Sequence, residues 1–234
     1  MSVAVYYINR DCDHDRRNHI EAELARAGIQ ATRLSAVDGV RVPDWLVPYY
    51  RDSRLTPGEV GCSASHLSIC ARIRDEKLPC AVVLEDDAIL PIGFLEIVRA
   101  ALAVVPSDWD IIRMVRRPTR GCLVIDKIDA THNLIRYPYV PYGTAAIIVS
   151  ASGAKKLLTQ RSIVDAIDHE VRRPWSLDLN VYGIDPPPVT ELSRELFPST
   201  IVTRTRKRSN YRFTRTIFNV RKLGMIGYLR SLKF

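Results

Sequence analysis

Glu85, Asp86 and Asp87 stand side by side between two apolar runs, residues 81–84 and 88–90. Adjacent carboxylates repel one another, and near a core they are costly unless paired. A hard divalent cation answers that need, because carboxylate oxygen suits Mg²⁺ or Mn²⁺. Glu85 and Asp87 form an acid-x-acid pair and are the expected metal ligands. An acidic triplet after an apolar run equally suits a helix N-terminus, where carboxylates stabilise the dipole; residue types alone leave both readings open.

A second constellation covers residues 59–66, Glu-Val-Gly-Cys-Ser-Ala-Ser-His. It crowds small residues, hydroxyls and an imidazole into the start of a helix, where free N–H groups favour anions. Gly61, Ser65 and His66 are therefore candidate contacts to a diphosphate or a sugar; close helix packing and a core histidine are the alternative. At the end of the first apolar run, Asn9 can pair with a base or ribose, and Arg10 or Arg16 with phosphate, unless Asn9 is a turn residue beside solvated arginines. Asp38-Gly39 is first a turn signal and second a ribose contact. In Tyr142-Gly143-Thr144 the glycine permits either close ligand approach or a tight turn. Asp165 and Asp168 are each a candidate general base or a helix cap.

These residues need a scaffold, and the periodicity supplies one. Residues 3–8, 30–34, 81–84, 109–115, 145–149 and 181–184 read as strands, and residues 123–125 and 133–136 as a meander. Helices are expected from Asp15 to Gly28, over 93–105, and from Ser152 to about Thr159. A further helix runs from Thr56 to about Asp75, with Thr56 as cap, Pro57 in its first turn and Glu59 completing a capping box. Strands alternate with helices early and crowd together later. The expected class is α/β, a mixed and mostly parallel sheet with flanking helices. In such sheets ligands gather at the carboxyl ends of strands, which is where residues 85–87 fall.

The chain of 234 residues suffices for one good core. Its net charge of +8 is uneven: residues 203–234 hold ten basic residues and no acid, which leaves residues 1–202 at −2 (8 less 10). Two units follow, a domain over 1–202 and a basic helical tail over 203–234. Five cysteines without CxxC spacing fit a reduced, cytosolic protein. No basic leader precedes the first apolar run, and no apolar stretch reaches the ~20 residues of a membrane span.

In order, these segments resemble glycosyltransferase family 25, the bacterial lipopolysaccharide and lipooligosaccharide biosynthesis glycosyltransferases. The matching stretches are Tyr7-Ile8-Asn9-Arg10 with Arg16 and Arg17, residues 55–62 running into Ser65-His66-Leu67, and Val83-Leu84-Glu85-Asp86-Asp87. Gly143-Thr144-Ala145, residues 152–158, Ile167-Asp168 and Pro187-Pro188-Val189 complete the set. The resemblance spans about residues 3–195. It implies a GT-A-like nucleotide-diphosphosugar fold, a UDP-sugar donor carrying galactose or glucose, Mn²⁺ (or Mg²⁺) and inversion at the anomeric carbon. By the same resemblance Asn9, Arg10, Asp38, Gly61, Ser65 and Asp86 bind the donor, His66 contacts its diphosphate or sugar, and Asp168 is the base. The implied acceptor is a lipopolysaccharide-type glycan or glycolipid. Ala146 stands where the family often has an aromatic residue, which removes one stacking contact on the acceptor side.

Two other classes compete with a transferase. Metal-dependent phosphoryl transfer or hydrolysis also uses clustered carboxylates, and a basic tail alone permits a non-enzymatic membrane or nucleic-acid binder. A 100° helical projection of residues 212–234 gathers Arg212, Arg215, Lys222, Arg230 and Lys233 on one arc. Phe213, Ile217, Phe218, Val220, Met225, Tyr228, Leu229 and Leu232 lie across from it. That pattern favours an anionic membrane over nucleic acid and places the protein on the inner face of the cytoplasmic membrane.

Overall fold

The computed structural model describes residues 3–118, 121–192 and 211–232. The chain begins with β1 (Ala4–Asn9), α1 (His14–Arg26) and β2 (Thr32–Ser35), then the short α2 (Val47–Tyr50) and the long α3 (Pro57–Asp75). Next come β3 (Cys80–Glu85), β4 (Ala88–Ile89), α4 (Phe94–Val104), β5 (Ile111–Arg113), β6 (Leu123–Lys127) and β7 (Asn133–Arg136). The described residues finish with β8 (Ala146–Ser150), α5 (Ala151–Leu157), α6 (Ile167–Arg172), β9 (Val181–Asp185), β10 (Thr190–Glu191) and α7 (Arg212–Ser231).

Eight strands form one sheet in the order β2-β1-β3-β8-β5-β9-β7-β6. Six run the same way; β8 and β7 run against them. The sheet is thus mixed and mostly parallel, with the expected 123–125 and 133–136 meander as its antiparallel β6–β7 edge. β4 and β10 pair as a separate ribbon that the sequence pattern did not announce. The expected strand over 109–115 is shorter, and Val115 instead bridges to Val189.

β3 explains the layering. Ala81 and Val83 face a core with α3, α5 and α6, while Val82 and Leu84 face another with α1 and α4. Burial on both faces requires the unbroken apolar run seen in the sequence. α3 starts where its cap predicts: Thr56 Oγ1 accepts from Glu59 N, and Thr56 N donates to Glu59 Oε2 at 2.9 Å.

The tail departs from a single amphipathic arc. The expected boundary at residue 203 lies outside the described residues. Within α7, Gly224 takes φ 68° and ψ 164°, which breaks the helix. Glycine alone adopts that left-handed geometry without penalty. The break shifts the helical phase, so Phe218 and Tyr228 turn inward while Phe213, Ile217, Met225, Ile226, Leu229 and Leu232 stay exposed. Asn219 Nδ2 donates to Pro138 O at 2.9 Å, and Lys222 Nζ lies 2.9 Å from Asp178. One side of α7 therefore packs on the body. No described helix is long and apolar enough to cross a membrane.

Candidate active site

Parallel β1, β2 and β3 end on one edge of the sheet, with Asn9 level with Ser35 and Ile8 level with Glu85. Antiparallel β8 starts at that edge, Ala146 opposite Leu84. A cleft of about 480 Å³ opens there. Its walls include Asn9, Arg10, Asp38, Gly61, Ser65, His66, Glu85 and Asp86. Asp87 and Asp168, the other two expected site residues, do not line it.

The acids are held individually. Glu85 Oε1 accepts from Thr144 Oγ1 at 2.7 Å and lies 3.2 Å from His66 Nε2. Asp86, buried, accepts from Asn9 Nδ2 at 2.8 Å and from Arg16 Nε at 2.7 Å. Arg16 also reaches Asp87 Oδ2 at 3.0 Å. The partner that the sequence argument sought for three carboxylates is thus in large part an arginine from α1. That was hard to foresee, because Arg16 is 70 residues from Asp86 and nothing local marks their approach.

Asp87 Oδ1 is buried without a hydrogen-bond partner. Burial, and after it the charge of Glu85, pushes the Asp87 carboxyl up to about 6 against the pull of Arg16. Burial also acts to raise Glu85, but the His66 hydrogen bond and charge, with Thr144 and Arg16, hold it below the usual carboxylate range. An unpaired carboxylate oxygen beside a second carboxylate suits a hard divalent cation, so Glu85 and Asp87 fit such an ion. Cys62, His66 and Glu85 also offer a sulfur, a nitrogen and an oxygen within 4.8 Å of one another, a softer donor set.

Several expected donor contacts have work within the protein. Asn9 Oδ1 accepts from Arg33, and its amide also reaches Asp13 O at 3.1 Å, so Asn9 chiefly braces Asp86. Arg10 is exposed and paired with Asp13 at 2.7 Å. Asp38 Oδ1 accepts from Val40 N at 2.9 Å, which is the turn reading. Ser65 is buried; its hydroxyl donates to Gly61 O at 2.7 Å and accepts from Val37 N at 2.8 Å. Gly61 allows the loop onto the helix: a Cβ there would stand 2.5 Å from Val37 O. The segment 59–66 thus packs closely, as one reading held, and still walls the cleft.

Of the two candidate bases, Asp165 is ion-paired with Arg173. Asp168, in the first turn of α6, accepts from His169 N at 2.8 Å. Burial pushes the Cys62 thiol well up, and the charges of Glu85, Asp168, Asp87 and Asp86 add to it. Neither aspartate is the cap of α6, a position held by Ala166.

A family model for glycosyltransferase family 25 (LPS biosynthesis protein) matches residues 3–170. Procollagen galactosyltransferase 1-A of Xenopus laevis is 30% identical over 176 residues, 68% of this chain and 28% of its own length. Procollagen galactosyltransferase 1 of Danio rerio is 29% identical, covering 66% of this chain and 28% of its own length. The procollagen lysyl hydroxylase and glycosyltransferase of Acanthamoeba polyphaga mimivirus is 26% identical over 79% of this chain and 23% of its own length. This chain thus spans between a fifth and a third of the length of each of these relatives. Among solved structures, a glycosyltransferase involved in glycosylation of the major capsid of PBCV-1 aligns over 67% of this chain and 64% of its own, at 5% identity and a TM-score of 0.36. With a family model covering well over half of its residues, the chain belongs to glycosyltransferase family 25.

Proposed function

We propose that the cleft transfers a hexose, galactose or glucose, from a UDP-sugar to a glycan acceptor, with metal assistance and inversion. The observation that carries this reading is the buried, unpaired Asp87 Oδ1, two residues past Glu85 in the cleft wall. Glu85 and Asp87 would hold Mn²⁺ or Mg²⁺, which would supply Lewis-acid neutralisation of the charge on the leaving diphosphate. His66 and Thr144 fix the Glu85 carboxylate in place. Arg16 and Asn9 hold Asp86 toward the donor sugar. The Asp168 carboxylate takes the proton of the acceptor hydroxyl as its oxygen bonds to the anomeric carbon. The bond from that carbon to the diphosphate breaks, and UDP leaves with the electron pair.

The family description favours a lipopolysaccharide-type acceptor. The relatives' names favour galactose as the sugar. The exposed apolar residues of α7, with Arg212 and Arg230 among them, favour an anionic bilayer surface, the inner face of the cytoplasmic membrane, where glycolipid acceptors are anchored. Incubation with UDP-galactose and UDP-glucose, with and without Mn²⁺, tests the reading by UDP release. Metal-dependent release that grows with a glycan acceptor supports it. Cleavage within the diphosphate, to UMP and a hexose 1-phosphate, instead makes the protein a phosphohydrolase.

A further inference from the structure

Tyr142 is 40% exposed, yet it is held from several sides. The Arg172 guanidinium lies 3.8 Å from its ring centroid, and the same group donates to the Tyr142 hydroxyl. His169 meets the ring edge-on, with centroids 4.9 Å apart and planes at 66°. From below, the fully buried Arg113 donates to the backbone oxygen of Tyr142 at 2.8 Å and to that of Gly143. A solvent-facing ring ordinarily keeps its rotamer freedom; this one has lost it before anything binds.

Its position gives that rigidity a use. Gly143, at φ +93°, turns the chain so that Thr144, two residues after the ring, bonds Glu85. The ring's other neighbours, His169 and Arg172, share α6 with Asp168. One exposed aromatic group is thus tied on one side to the acid at the cleft and on the other to the helix of the candidate base. Ala146 is fully buried, so β8 itself cannot present a ring there.

We propose that Tyr142, braced by His169 and Arg172, is the acceptor subsite: a platform on which a pyranose ring stacks its C–H face with a hydroxyl directed to Asp168. Aromatic rings bind such faces through dispersion and quadrupole attraction, and pre-ordering removes part of the entropy cost. The subsite rests on the transferase reading above and adds the acceptor's chemistry to it.

Saturation-transfer NMR with methyl β-D-galactopyranoside, on the full chain with UDP and Mn²⁺, tests the subsite. Signal should pass from protein to the probe's ring C–H protons in the wild type and in Tyr142→Phe, and fade in Tyr142→Ala. With a working acceptor, Tyr142→Ala should raise its KM about tenfold while UDP affinity stays within about twofold. His169→Ala, which leaves the Tyr142 backbone contacts intact, should weaken the same signal should Tyr142→Ala prove unstable. Equal transfer in wild type and both alanine variants overturns the subsite. UDP calorimetry on the same samples separates the failures: a wild type that binds UDP without transfer to the probe overturns the subsite alone, and one that does not bind UDP overturns the donor reading with it.

Discussion

His66 Nε2 stands 3.2 Å from Glu85 Oε1, joining the middle of α3 to the end of β3 across the floor of the cleft. The imidazole is nearly fully buried, and the pair is what keeps Glu85 ionised despite its own burial. Because the Glu85 carboxyl lies below its unfolded value, its contribution to stability is complete above that value and is lost as pH falls through the folded one. His66→Ala should therefore cost about 1–3 kcal/mol at pH 7, the range for removing a partner from a buried charged group. The deficit should shrink in strong acid. Urea melts at several pH values measure both.

Asp87 behaves in the opposite sense. Its carboxyl is raised to about 6, so in the metal-free protein stability falls as pH rises from the unfolded value toward 6 and is level above. Asp87→Asn escapes that loss. Relative to wild type it should gain about 3 kcal/mol between about pH 4 and pH 6.5. Metal-dependent sugar transfer should be abolished at the same time. Thermal melts without metal, paired with UDP-release assays, check the two halves.

Arg16 is the cation the triplet already possesses. Arg16→Met leaves Asp86 and Asp87 without their shared cation, with Asp86 held by Asn9 alone, and should cost about 3 kcal/mol. Arg16→Lys should recover only part of it, since one ammonium cannot reproduce the two-armed contact to Asp86 and Asp87. Denaturant midpoints of the three proteins decide.

Asp168→Asn should lower turnover by about 10²–10⁴-fold, the usual contribution of a general base. UDP affinity should hold, because Asp168 is not in the walls of the cleft. Calorimetry with UDP that shows binding lost along with turnover would move the base elsewhere.

The two sides of α7 should separate in experiment. Serine at Phe213, Ile217, Met225 and Leu229, all exposed, should weaken binding to phosphatidylserine vesicles while leaving the melting temperature nearly unchanged. Phe218→Ala, on the packed side, should instead cost about 3 kcal/mol. Vesicle flotation and thermal melts give the two readouts.

Features that depend on neighbours in sequence were legible in it. The capping box of α3, the apolar run of β3 with its terminal acids, and the β6–β7 meander are all local patterns. The meeting of Asn9 and Glu85 at one edge followed from parallel strands ending together. What escaped depends on approach in space. Arg16 meets Asp86 only because α1 packs on the face of the sheet that β3 shares. The lock on Tyr142 joins a loop to a helix 30 residues later. Gly224 sets the break in α7, but which apolar residues turn inward depends on the surface that α7 meets.

Gly39 and Gly61 press two backbones together: a Cβ at 39 would lie 1.8 Å from Pro57 O, and one at 61 would lie 2.5 Å from Val37 O. Substitution cannot wedge this seam open without moving α3, so the gap between the 36–39 loop and the helix is set by main chain alone. A chain that keeps both glycines keeps one gauge for this slot. What the slot admits is then set by the side chains that project from its rim and not by its width.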